Sequence, residues 1–215
     1  MKLYVLIACE ESQAVCKAFR DLGHEAYSYD LQECSGGHPE WHIQGDITKS
    51  QILKHKNHFF VTQDGLLHNV RAWDILIAHP PCTYMSNAGA CRMYKRINGK
   101  QYIDADRFAK MIEAREFFDM FYFAPVHYIA IENPLPLKIC NLPTPTQIIQ
   151  PYEFGHPYSK KTLLWLRNLP LLTPTEILKE HTPFLPSNTS NFAKGKKGSH
   201  GVVRVAKITQ KRFPE

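Results

Sequence analysis

Cys82 follows two prolines, in His79-Pro80-Pro81-Cys82, where an apolar run over 73–78 stops abruptly. The prolines remove two backbone donors and restrict the chain, so they would hold a thiol on a stiff turn just past a buried strand. A thiol titrates near ~8.5, so nucleophilic use requires local activation. A lone cysteine after a strand otherwise serves as a small core residue. Other polar groups end apolar segments in the same way: Cys9-Glu10-Glu11-Ser12, Asp30 and Glu132-Asn133-Pro134. An acid at the position of Asp30 either binds the ribose hydroxyls of an adenosine-containing cofactor or is a solvated turn residue. Asp46, in Gly45-Asp46-Ile47, is either an acceptor for an adenine amino group or a helix cap.

For these groups to meet, the segments before them must be neighbouring strands. Apolar, β-branched composition predicts strands over 3–8, 25–29, 73–78, 127–131 and 162–166. Helical spacing predicts helices over 11–22 and 104–121, and Gly23 ends the first. The alternation implies an α/β fold with a mostly parallel sheet and helices on both faces. Ligands in such sheets bind beyond the carboxyl ends of the strands, where every polar group named above falls. Runs over 59–62 and 66–70 flank Gln63-Asp64-Gly65 and predict a hairpin, an insertion spanning 58–71. The segment 92–100 is expected as a basic loop. Beyond residue 167 the chain turns rich in Pro, Thr, Ser and Asn, with a short helical stretch around 175–180. Residues 194–212 hold seven Lys or Arg and no acid. Residues 168–215 are too few for a core of their own and are expected as a short basic extension of a catalytic domain over 1–167.

The formal net charge of +6 is compatible with a nucleic-acid partner. No apolar run approaches the ~18 residues that span a bilayer, and the N-terminus lacks signal-peptide features, so no membrane partner and a cytoplasmic location are expected. No CxxC pair is present. Cys34, His38 and His42 are spaced by four, but Gly36-Gly37 and Pro39 prevent a shared helix face, so no metal site is expected.

Pro80, Pro81, Cys82, Ser86, Ala88 and Gly89 form PPC-x-x-x-S-x-A-G, which resembles the catalytic motif of the C5-cytosine DNA methyltransferases. Glu132-Asn133-Pro134 resembles that family's ENV motif. Gly45-Asp46-Ile47 matches its GDI motif, and the segment 155–162 lines up with its G-x-PQ-x-R-x-R segment. Order and spacing agree over 3–167, and the compact length is most similar to phage-type members. The resemblance implies a Rossmann-like fold that uses S-adenosyl-L-methionine, in a phage or prophage protein acting in a bacterial host cell. It implies that Cys82 adds to C6 of cytosine while Glu132 holds N3 and the 4-amino group, with Lys160 supplying positive charge. This is covalent catalysis that divides one difficult step into easier ones. DNA would present the base in a single strand or flipped from a duplex.

The same resemblance implies a cofactor site from Cys9, Glu10, Glu11, Ser12, Asp30, Asp46 and Pro80. Glu10 or Glu11 would meet the methionine ammonium while Ser12 caps the helix. Substrate contacts would come from Pro81, Ser86, Asn133, Pro134 and Thr162, with Arg92, Lys95 and Arg96 on phosphates. The chain departs from the family pattern at the first turn, which has no glycine. It also carries Lys160 and Thr162 in place of arginines, and its C-terminal region is too short for the family's target-recognition domain, so a protein partner could supply specificity. Two alternatives stand beside DNA methylation: methylation of a free cytosine nucleotide, and a non-catalytic nucleic-acid- or nucleotide-binding accessory or anti-defence protein on the same scaffold.

Overall fold

The computed structural model describes residues 1–54 and 56–183; the basic stretch over 194–212 lies outside the described residues. Seven strands form the central sheet: β1 (Tyr4–Ala8), β2 (Glu25–Asp30), β3 (His42–Gln44), β4 (Ile75–Ala78), β5 (Tyr128–Pro134), β6 (Gln147–Ile149) and β7 (Thr162–Arg167). Their spatial order is β3-β2-β1-β4-β5-β7-β6. The first five are mutually parallel. β7 runs antiparallel to both β5 and β6. The fold is mixed α/β with a mostly parallel sheet.

β1 and β4, at the centre of the sheet, are apolar throughout because both faces are covered. On one face, helix α1 (Ala14–Asp21) lays Cys16, Val15 and Phe19 against Val5, Ile7, Ala26 and Ile75. On the other, helix α2 (Ala105–Tyr122) lays Met111, Phe118 and Phe121 against Leu6, Leu76, Ile129, Ile131 and Trp165. Those three α2 residues are fully buried, and each such side chain contributes roughly 1.5–3 kcal/mol. Asp104 starts α2 by accepting from the Arg107 amide at 2.9 Å. Gly23, at φ 84, follows the end of α1. The expected insertion is a hairpin of His58–Val61 and Leu67–Val70, whose Phe60 and Val70 join the α2-side core beside Tyr27 and Trp73.

Three expectations differ from the structure. Residues 92–100 are not a loop: Tyr94–Ile97 and Lys100–Ile103 pair as an antiparallel hairpin around Asn98-Gly99, both at positive φ. No helix forms over 175–180; this segment instead hydrogen-bonds to residues 152–155, with Leu178 N donating to Tyr152 O. Helix α1 begins at Ala14 rather than residue 11, because residues 9–13 are consumed by a tight turn.

Candidate active site

The chain runs from β1 outward through β2 to β3, then returns to β4 on the other side of β1. The reversal falls between β1 and β4, and in open α/β sheets ligands bind beyond the carboxyl ends of the strands at such a point. Cys9 ends β1 there and His79 ends β4, with His79 N donating to Ala8 O at 3.0 Å.

Successive strand residues point to opposite faces, so the end of β5 sends Glu132 and Asn133 to different surroundings. Asn133 is fully buried and donates to the Pro80 carbonyl at 2.8 Å. Pro80 itself is buried, whereas Pro81 is exposed. Glu132 is partly exposed, with Oε2 3.7 Å from His79 Nδ1. Antiparallel pairing sets Thr162 opposite Pro134 and thereby brings Lys160 to the same edge. Cys82 is half-buried. Burial pushes its thiol above the ordinary value, the negative charge of Glu132 pushes it further, and the Lys160 ammonium and a hydrogen bond from Ser86 draw it down. Cys82, Glu132, Lys160 and Ser86 therefore share one electrostatic environment.

The loop after Cys82 is pinned from two sides. The Met85 and Ser86 amides fold back onto the Cys82 carbonyl at 3.1 and 2.8 Å. Leu137 N donates to Met85 O, and Asn87 N donates to Leu135 O. From α2, the Arg107 guanidinium donates to the Thr83 carbonyl and lies over the Tyr84 ring at 4.4 Å. A Cβ on Gly89 would come within 2.7 Å of that guanidinium and 3.3 Å of the Thr83 carbonyl, so a larger residue there would push on the Arg107 side chain.

The turn after β1 replaces glycine with other residues. Cys9 and Gln13 both adopt left-handed backbone conformations, at φ 61 and 58. Gln13 is fully buried; its amide donates to His38 O and Ser28 Oγ and accepts from His38 N. Glu10 is also buried and accepts from the amides of Val15 and Cys16 at 2.6 and 3.2 Å. Glu10, not Ser12, thus satisfies the first turn of α1: Ser12 is exposed and Glu11 half-exposed. The adjacent Asp30 accepts from Gln32 N, and its carbonyl receives Gly45 N at 2.8 Å, which sets the 45–46 turn beside it. Asp46 caps its short helical turn, accepting from Thr48 N and Thr48 Oγ1 and pairing with Lys49.

Arg92 and Arg96 are exposed, whereas Lys95 is ion-paired with Asp104. His42 Nδ1 contacts Ser28 Oγ and its Nε2 contacts Gln32 O, so both ring nitrogens are engaged. Among the described residues no cluster of three or more His, Cys, Asp or Glu is placed to hold a metal ion, and no helix is long and apolar enough to cross a membrane. Sequence reasoning named His79 only as part of the Pro-Pro-Cys turn and missed Gln13 and Arg107. Asn98-Gly99 is a strong hairpin signal for the ribbon Tyr94–Ile103.

The chain matches no protein family and no curated protein in sequence.

Proposed function

We propose that the chain is a Rossmann-like, S-adenosyl-L-methionine-dependent DNA cytosine C5-methyltransferase. What supports this is that β4 and β5 are parallel neighbours, so the segments bearing Cys82 and Glu132 leave the sheet at one edge, with Glu132 3.7 Å from His79 and its charge felt at the Cys82 thiol together with that of Lys160. A nucleophile, a carboxylate and a cation at one strand edge supply the groups that addition to C6 of a cytosine requires.

The residues present fit the adenosine half of the cofactor. Cys9 and Gln13 provide two left-handed positions without glycine, and Asp30 stands at the end of β2 beside them. Asp30 would hold ribose hydroxyls. Because the Glu10 carboxylate is committed to α1 amides, Glu11 is the acid available for an ammonium group. When bound, the cofactor supplies the electrophilic methyl group.

Cys82 attacks C6 as the thiolate, opening the C5–C6 double bond so that C5 becomes nucleophilic and takes the methyl group. Loss of the C5 proton to a base and elimination of the thiolate then restore the ring. Glu132 holds N3 and the 4-amino group, stabilising the ring as charge develops on it. Lys160 lowers the energy of the thiolate and of nearby negative charge. Asn133 and Arg107 hold the loop in place, so the thiol enters the reaction already oriented.

Duplex DNA carrying 5-fluorocytosine, incubated with the cofactor, tests the proposal. The wild type is expected to give a denaturation-resistant protein–DNA adduct and Cys82→Ala none. Absence of adduct from DNA of all cytosine contexts would refute it. A parallel incubation with dCMP and labelled cofactor separates a free-nucleotide substrate from DNA.

A further inference from the structure

We infer that the antiparallel ribbon Tyr94–Ile103 is the duplex-DNA-binding element of this chain, entering the major groove with Arg96 and Gln101 on base edges and Lys100 on a phosphate. The inference rests on the DNA-directed function above.

All eight strand residues of the ribbon are exposed. From 92 to 103 the chain carries Arg92, Lys95, Arg96 and Lys100 and no acid; the Asp104 carboxylate pairs with Lys95, so Arg92, Arg96 and Lys100 supply the positive charge offered to a phosphate backbone. A stretch of one charge sign on an exposed element is the electrostatic footprint of a phosphate backbone. The ribbon is also firmly mounted. Met93 at its base is fully buried, Asp104 N donates to Met93 O at 2.9 Å, and Lys95 pairs with the Asp104 carboxylate. Asp104 in turn caps α2, whose Arg107 holds the Cys82 loop. The 3-10 turn Asn87–Arg92 joins Ser86 to the ribbon directly. A body gripping the ribbon is therefore registered against the thiol.

Register assigns the faces. Tyr94 opposes Ile103 and Arg96 opposes Gln101, whereas Lys95 opposes Tyr102 and Ile97 opposes Lys100. Opposed residues share a face, so Arg96 and Gln101 stand side by side near the Asn98-Gly99 tip. Arg and Gln are the side chains that make two-pronged contacts with guanine and adenine edges in the major groove. Strands ~4.8 Å apart form a ribbon that this groove, ~12 Å wide, admits.

Fluorescence anisotropy with labelled duplex oligonucleotides, without cofactor and across a salt series, tests the inference. Lys100→Ala is expected to reduce the dependence of log affinity on log salt by about 1, uniformly across sequences. Arg96→Ala with Gln101→Ala is expected to flatten the sequence enrichment that the wild type shows on a randomised duplex pool. The Arg96→Ala/Lys100→Ala double variant should lose about tenfold or more in affinity with an unchanged melting temperature. Wild-type affinity and salt slope in the double variant, or binding confined to single strands, would overturn the inference. Cys82→Ala keeps the ribbon and should bind duplex as the wild type does. Ribbon-dependent binding without any 5-fluorocytosine adduct would therefore refute methyl transfer while upholding the ribbon.

Discussion

Asn133 reaches across from β5 to donate a 2.8 Å hydrogen bond to the carbonyl of Pro80, tying the loop of the nucleophile to the strand of its partner carboxylate. Pro80 and Pro81 lack amides, so side chains must hold this loop. Asn133→Ala removes the donor and leaves the buried Pro80 carbonyl unsatisfied. A loss of about 1–3 kcal/mol in urea unfolding is expected. The rate of 5-fluorocytosine adduct formation should fall further than this loss of stability accounts for, because the thiol loses its position. An adduct rate that only tracks the folded fraction would show that the bond is structural alone.

Gly36 packs against the turn that follows β1. A Cβ there would lie 2.5 Å from Gln13 Cβ and 2.5 Å from the Ser12 carbonyl, and backbone cannot yield as a side-chain tip does. Gly36→Ala is expected to destabilise the fold by about 1–3 kcal/mol through overpacking. It should also weaken S-adenosyl-L-methionine binding in calorimetric titration, since Gln13 and its left-handed backbone shape that edge. Gly65→Ala, in the distant hairpin turn where a Cβ meets open space but φ is 87, should cost only backbone strain and leave cofactor binding unchanged.

The buried Glu10 should leave a signature in the pH dependence of stability. Burial raises its pKa above the ordinary 4.5, and the charge of Glu11 adds to this; the amides of Val15 and Cys16 and the charge of His79 oppose it. The folded state thus keeps the proton to higher pH than the unfolded chain. This group's contribution to stability falls as pH rises from 4.5 through the raised folded value, and is flat above it. Glu10→Gln is expected to remove that slope in urea midpoints taken over a pH series. Glu10→Ala removes the acceptor for two α1 amides and should cost about 1–2 kcal/mol at every pH. A slope that survives in Glu10→Gln would assign it to another group.

β1, β2, β4, β5 and β7 were legible from their largely apolar runs, though not the antiparallel direction of β7, and α2 because its apolar spacing is helical. β3 and β6 are three residues each, too short for periodicity to register. The ribbon Tyr94–Ile103 escaped because neither face is buried, so alternation carries no pattern; only its Asn-Gly tip announced it. At the site, the strand-end positions of Cys82, Glu132 and Asp30 followed from the order of the elements. Glu10's capping of α1 did not, because a carboxylate four residues before the first helical residue reads equally as ligand or cap. Nor did the contact of Asn133 with Pro80, which joins residues 53 apart in sequence and exists only once β4 and β5 are neighbours.

The convergence of Cys82 with Glu132 and Lys160 can be tested through the reactivity of the thiol alone. Burial comes first in raising Cys82 above its ordinary 9.0, Glu132 second, and Lys160 opposes both. Removing the Glu132 charge therefore favours the thiolate, and removing the Lys160 charge disfavours it. Iodoacetamide reacts with thiolates, so its rate at Cys82 against pH reports the balance. Glu132→Gln should shift that profile to lower pH and speed labelling at neutral pH. Lys160→Ala should slow it. Peptide-resolved mass spectrometry separates Cys82 from exposed Cys91, which serves as a control because neither substitution should alter it. Cys9 and Cys16, pushed up to about 12 by burial, should stay unlabelled. Identical Cys82 profiles in the wild type, Glu132→Gln and Lys160→Ala would mean that the three side chains do not share one site, and the methyl-transfer proposal would fall with it.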